Sequence, residues 1–218
     1  MSDMNNNNTI NSFNKTEIID FYVKKINQFG ISHETVGWGS QESQQLRFEV
    51  LLRNLSIENK IILDIGCGLG DLVSFIKKCR TENFSYIGLE LVPEFVRLAK
   101  DRYVGNNQVQ FIEGDMEQLF SMNQSIDIVT LSGALNIRVD DNWSLMAKVL
   151  TRGFEICKEC ITVNFLTTYV DYSLNKNYHF QPEKIFAFAK SLSPHVNLIH
   201  DYPLYEFTVQ IFKKIHLT

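Results

Sequence analysis

Gly66, Gly68 and Gly70 fall at alternate positions in ILDIGCGLGD, residues 62–71, at the end of an apolar run that carries one acid, Asp64. Glycine loses more conformational freedom on folding than any other residue, so three within five positions need a local reason. The usual reason is a sharp backbone turn that lets a ligand come close. Two more carboxylates follow at the ends of later apolar runs: Glu90 in YIGLELVP and Asp115 in FIEGDME. The spacing G-x-G-x-G differs from the dinucleotide fingerprint G-x-G-x-x-G, whose third glycine would stand at Asp71. A pyrophosphate beside Asp64 and Asp71 is repelled. A ligand carrying positive charge is favoured there.

Such residues need a scaffold that brings several strand ends together. Asn14, with Glu17 three residues on, predicts a capping box and a helix to Gly30. Phe48, Leu51, Leu52 and Leu55 predict a second helix from about Ser40 to Leu55. After that the pattern alternates. Strands are expected at 60–65, 86–91, 109–112, 126–131, 161–166, 196–199 and 207–213, with helices between most of them. Pro93 and Pro182 stand at expected first helical positions. This predicts a doubly wound α/β sheet of seven strands, order 3-2-1-4-5-7-6, closed by an antiparallel strand. Ligands in such sheets bind at the C-terminal strand ends, near the switch in strand order.

With these marks in order, the sequence resembles the class I S-adenosylmethionine-dependent methyltransferases from about Lys60 to the C-terminus. The resemblance implies S-adenosylmethionine as cofactor and S-adenosylhomocysteine as product. It implies that Asp64, Gly66, Cys67, Gly68 and Gly70 form the cofactor loop. Glu90, with Leu91 beside it, would grip the ribose hydroxyls, Asp115 the adenine amino group, and Met116 would pack on the ring. Cys67 needs no chemistry of its own; a small soft side chain is ordinary loop packing. The stretch GWGSQESQQLRFEVL lies where the family places a cofactor lid. It resembles a group of small bacterial methyltransferases of poorly defined substrate. Arg47 pairs with the cofactor carboxylate or is a solvated helix charge; Trp38 and Ser43 line the site, or Trp38 is a core anchor.

Methyl transfer asks the protein to align an acceptor and exclude water, and positioning alone supplies about 7–11 kcal/mol. A general base adds roughly 10²–10⁴-fold when the acceptor starts protonated. After the fourth strand LSGALNIRVDD brings Ser132 and Asn136 to the site but lacks the Asn/Asp-Pro-Pro-Tyr-like motif of enzymes that methylate bases or protein amides. No Pro-Cys nucleophile is present. Asp140, Asp141 and Asn164 do not make a clear metal set, and no metal is expected. The aromatic stretch at 167–182, TTYVDYSLNKNYHFQP, is long enough to be functional. It supplies Tyr169, Tyr172, Tyr178, His179 and Phe180 as acceptor-pocket candidates, each of which also reads as loop packing. Imidazole titrates near neutrality, so His179 is the first choice for a base, His200 the second, with Tyr169 the third catalytic candidate. Arg138 is a candidate hold for an anionic acceptor.

The 218 residues suit one domain, with a helical lid at 14–57 before the methyltransferase domain at 58–218. The Asn-rich stretch 1–13 is expected to be disordered and has no signal-peptide pattern. No apolar run approaches the ~20 residues of a membrane helix. A formal net charge of −4, with no basic stripe, argues against nucleic acid and for a small-molecule acceptor. The lone C-x-x-C, Cys157 and Cys160, falls short of the roughly four ligands of a zinc site. A reduced, cytoplasmic protein is expected, a monomer or homodimer. Three rivals stay open: a protein side chain as acceptor, a cofactor-binding scaffold without chemistry, and a nicotinamide oxidoreductase, which Asp71 disfavours.

Overall fold

Period-two alternation decides which layer each strand residue joins. A computed structural model describes residues 13–123 and 125–214; the side chain of Met116 lies outside the described residues. Along the chain α1 (Lys15–Phe29) and α2 (Gln41–Leu51) precede β1 (Ile61–Ile65) and α3 (Asp71–Cys79). Then come β2 (Ser85–Glu90), α4 (Pro93–Arg102), β3 (Val109–Glu113), α5 (Met116–Ser121) and β4 (Ile126–Ser132). The rest is α6 (Asn142–Ile156), β5 (Cys157–Leu166), α7 (Pro182–Leu192), β6 (His195–Ile199) and β7 (Glu206–Phe212). These strands form one sheet in the order β3-β2-β1-β4-β5-β7-β6, with β7 antiparallel to both neighbours and the other pairs parallel. It is the doubly wound architecture expected.

Successive strand residues point to opposite faces. In β1 and β4, Ile62 and Ile128 join Phe48, Leu72, Ile76 and Val96 from α2, α3 and α4. Their neighbours Leu63 and Val129 join Met146, Leu150, Ile185 and Ala189 from α6 and α7. A helical layer therefore covers each face. The strand order reverses between β1 and β4, which opens a crevice at their C-terminal ends.

Differences from the sequence reading have local causes. The α2 helix stops at Leu51, short of Leu55, and Asn54 takes a left-handed φ of 61° just beyond it. The short α5 was not anticipated; Asp115 caps it by accepting from the Glu117 N–H at 2.9 Å. The β5 strand begins at Cys157, so Cys157 and Cys160, an odd number of residues apart in a strand, point to opposite faces. Both are free thiols. Residues 1–12 of the expected disordered segment lie outside the described residues, while the Phe13 N–H donates to the Arg138 carbonyl at 2.8 Å.

The α1 helix carries the expected capping box. It buries no residue fully, and lays Tyr22, Val23 and Ile26 over Leu69, Val92 and Phe95 at the strand ends. Among the described residues no helix is long and apolar enough to cross a membrane.

Candidate functional site

The backbone after β1 turns through Gly66 and Gly68, both at positive φ, 72° and 54°. A Cβ on Gly68 would stand 2.9 Å from Val36, a residue of the segment between α1 and α2. That segment lies directly on the glycine loop. Glu90, at the end of β2, fixes the loop: one carboxylate oxygen accepts from the Gly68 N–H at 2.8 Å, the other from the Val92 N–H at 2.9 Å. Burial pushes the Glu90 carboxyl up, and these N–H donors pull it back. A carboxylate offers about four acceptor positions, so capacity remains on both oxygens.

Asp64 lies deeper. Tyr86 donates to one of its oxygens at 2.6 Å and Thr130 to the other at 2.9 Å. Burial raises its pKa to about 7 against those two hydrogen bonds. Burial likewise pushes the Cys67 thiol well up, which keeps it an inert loop residue.

Above the loop lies a cavity of about 800 Å³, near the upper end of the range for ligand sites. Gly66, Cys67 and Gly68 floor it, with Asp64, Glu90 and Leu91 beside them. Asp115, Ser132 and Asn136 continue the wall, Trp38 and Arg47 close it from the N-terminal segment, and His179 enters from the stretch after β5. Ser132 donates to Asn164 at 3.0 Å, and Asn136 accepts from Tyr178 N–H through its backbone carbonyl at 2.9 Å.

Two side chains in this wall hold unspent polar atoms. Arg47 forks onto Glu206 of β7, with Nε and Nη2 each 2.7 Å from its carboxylate, and stacks on Trp38 at 4.3 Å. Its Nη1 is buried with no hydrogen-bond partner. Burial pushes Glu206 up, and the guanidinium opposes the shift. The second is His179. Its Nδ1 lies 2.7 Å from the Thr167 carbonyl, which can only accept, so Nδ1 carries the proton. In the neutral ring Nε2 is then the acceptor atom, and it is buried and unpartnered.

Other expectations need correcting. Tyr169 is 61% exposed and donates to Glu183, and His200 sits against its ring on the outer surface; neither lines the cavity. Ser43 is also outside the wall, because its hydroxyl is spent on the Ser40 carbonyl at 2.9 Å. One residue on, Gln44 does face the cavity and donates to Asp71 at 2.9 Å. Gly70 stands behind the loop as the cap of α3. Arg138 ties down the stretch after β5 through the Asn175 and Asn177 carbonyls at 3.0 and 2.8 Å. Asp141 caps α6. Asp115 already holds Lys15 of α1 at 2.5 Å, a bond that lowers its pKa together with the Glu117 N–H. Lys15, Phe21, Lys25, Lys176 and Glu206 were missed. Among the described residues no group of three or more His, Cys, Asp or Glu is disposed to hold a metal ion.

A family model described as a methyltransferase domain matches residues 62–153. Rv1506c of Mycobacterium tuberculosis, a provisionally named methyltransferase, is 31% identical over 166 residues, 70% of this chain and 92% of that protein. The chain belongs to the class I S-adenosylmethionine-dependent methyltransferases. Solved structures share its fold. The magnesium protoporphyrin IX methyltransferase of Synechocystis PCC 6803, with bound S-adenosylhomocysteine, superposes with a TM-score of 0.65 at 12% identity, over 92% of this chain and 99% of that one. The [4+2]-cyclase SpnF has a TM-score of 0.63 at 12% identity, over 87% of this chain and 75% of that one. The second likeness is a reminder that methyltransferase folds also host other chemistry.

Proposed function

We propose that this methyltransferase chain moves the methyl group of S-adenosylmethionine to an oxygen or nitrogen of a small-molecule acceptor, with His179 as general base. The observation that carries the reading is the buried, unpartnered Nε2 of His179 in the same cavity as the glycine loop. The residues present fit the cofactor. Glu90 keeps acceptor capacity for the ribose hydroxyls, and Asp115 for the adenine amino group beside Lys15. Arg47 Nη1 is a buried donor without an acceptor, suited to the cofactor carboxylate. Glu206 compensates the charge of Arg47, so Nη1 offers a directed hydrogen bond more than net charge. The bound cofactor supplies a methyl group on a positively charged sulfur, already activated for displacement.

The chain does the rest. The Thr167 carbonyl holds the His179 ring in one tautomer, with Nε2 ready to take the acceptor proton. Val36, Trp38 and α1 roof the cavity and exclude water, and the wall from Val170 to Leu174 confines the acceptor. The four free cysteines support a reducing, cytoplasmic setting.

The test is acceptor-dependent conversion of S-adenosylmethionine to S-adenosylhomocysteine, screened with a fractionated metabolite extract. Once an acceptor is found, His179→Gln is expected to lower kcat by about 10²–10⁴-fold. S-adenosylhomocysteine affinity should not change. The deficit should shrink at high pH, where the acceptor loses its proton without help. A variant as fast as the wild type removes His179 from the chemistry. No turnover with any fraction favours a cofactor-binding scaffold.

A further inference from the structure

Two ammonium groups converge at the mouth of the cavity in a chain whose formal net charge is −4. Lys25 comes from α1, and Lys176 from the stretch between β5 and α7. Both side chains belong to half-buried residues and both line the cavity. Both lie near one ring: Lys25 Nζ is 5.7 Å from the centroid of Phe21 and Lys176 Nζ is 5.3 Å from it. Among the described residues neither forms an ion pair within 4.0 Å. Lys25 spends one N–H on the Glu34 carbonyl at 2.8 Å, which leaves two. Burial and then the charge of Lys176 push the Lys25 ammonium down, and the Glu34 carboxylate only partly opposes them.

Like charges brought together in a partly desolvated place are unfavourable unless something repays them. A ligand anion does so, by charge-assisted hydrogen bonds to both amines. The wall that carries this pair and His179 also carries Val170, Tyr172, Leu174 and Leu204, which suit an apolar or aromatic body. The Phe21 ring lies within 6 Å of both cations and lines the same cavity.

Building on the methyl-transfer reading above, we propose that the acceptor is an apolar-bodied organic anion whose carboxylate, sulfonate or phosphate is held between Lys25 and Lys176. The group to be methylated then points inward to His179. Because one lysine stands on α1 and the other on the acceptor stretch, the anion also bridges the two parts that close the mouth.

A matched pair of dyes tests this without knowledge of the acceptor. Anilinonaphthalene sulfonate and N-phenyl-1-naphthylamine differ only by the sulfonate, and both fluoresce in apolar sites. Each is titrated into the full chain saturated with S-adenosylhomocysteine. The sulfonate is expected to bind at least tenfold more tightly than the neutral dye. Lys25→Gln/Lys176→Gln should erase that preference and leave the neutral dye unchanged. Lys77→Gln/Lys78→Gln, on the last turn of α3, should keep it. The proposal is overturned by equal binding of the two dyes, by no binding of the sulfonate, or by a preference that survives the double substitution. It is also overturned if the double substitution weakens S-adenosylhomocysteine, since the lysines then serve the cofactor. If S-adenosylhomocysteine does not bind the wild type at all, the methyl-transfer reading fails by itself. The dye comparison is then read on the free protein with the same outcomes.

Discussion

Asp64 lines the cavity beside the glycine loop, and its protonation is coupled to folding. The sequence suggested a carboxylate that favours a cationic ligand. In the fold it is a buried acid held by Tyr86 and Thr130, its pKa raised to about 7 chiefly by burial. An unfolded aspartate titrates near ~3.9. The folded state therefore prefers the protonated form. The stability linked to Asp64 is present in full below about pH 4 and is lost as pH rises through about 7. Urea unfolding at pH 5 and pH 8 should show the wild type losing stability over that range, with Asp64 contributing on the order of 2 kcal/mol. Asp64→Asn keeps an acceptor for Tyr86 and offers an N–H to Thr130, and should flatten the slope. Equal slopes in the two proteins would mean that Asp64 stays ionised throughout. The place of Glu90 was legible because it ends a strand beside the glycine loop, which puts it in the cavity wall. Ser43 was a phase error of one residue: Gln44, four before the buried Phe48, was the inward position. His179 was separable from Tyr169 and His200 only by tertiary structure, because an irregular stretch has no period that tells inside from outside.

At the scale of elements, strong periodicity carried most of the fold. Each expected strand is present, and the boundaries moved mostly by a residue, apart from the longer β5. What escaped was short: α5 is one such case, since Asp115 was read only for its ligand role. The α1 helix is the element whose stability is most local. It has no fully buried residue, and its N-terminus depends on Asn14 accepting from Glu17 N–H at 3.1 Å while Glu17 accepts from Asn14 N–H at 2.8 Å. Asn14→Ala removes one half of that exchange, worth about 1 kcal/mol. Hydrogen exchange at the α1 amides should accelerate about fivefold, since 1.4 kcal/mol is a factor of ten, while the β1 amides stay protected. Unchanged α1 exchange would show that Tyr22, Val23 and Ile26, packed on Phe95 and its neighbours, hold the helix without help from its cap.

Across the whole molecule, the N-terminal helices are held very unequally, and that bears on ligand binding. The α2 helix is built into one layer: Phe48 is in its core, Arg47 is forked onto Glu206, and Thr162 and Gln210 donate to the Leu51 carbonyl at 2.8 and 3.3 Å. The α1 helix touches the strand ends through one small apolar cluster and the Lys15–Asp115 pair. A bound cofactor should therefore stabilise the chain by joining α1, α2 and the glycine loop through one molecule. At ~100 times its dissociation constant, S-adenosylhomocysteine adds about 2.7 kcal/mol. For a chain of this size that is a rise in Tm of about 5–10 °C. Glu90→Ala should lower the starting Tm, because the Gly68 and Val92 N–H groups lose their acceptor, so the quantity to read is the ligand-induced shift in each protein. The shift is expected in the wild type, to be largely lost in Glu90→Ala, and not to occur with NAD. A full shift retained in Glu90→Ala would move ribose recognition away from β2. Stabilisation by NAD alone would mean that Asp71, bonded to Gln44 and Arg102, does not bar a pyrophosphate from the glycine loop, and the cofactor assignment would have to be rebuilt from there.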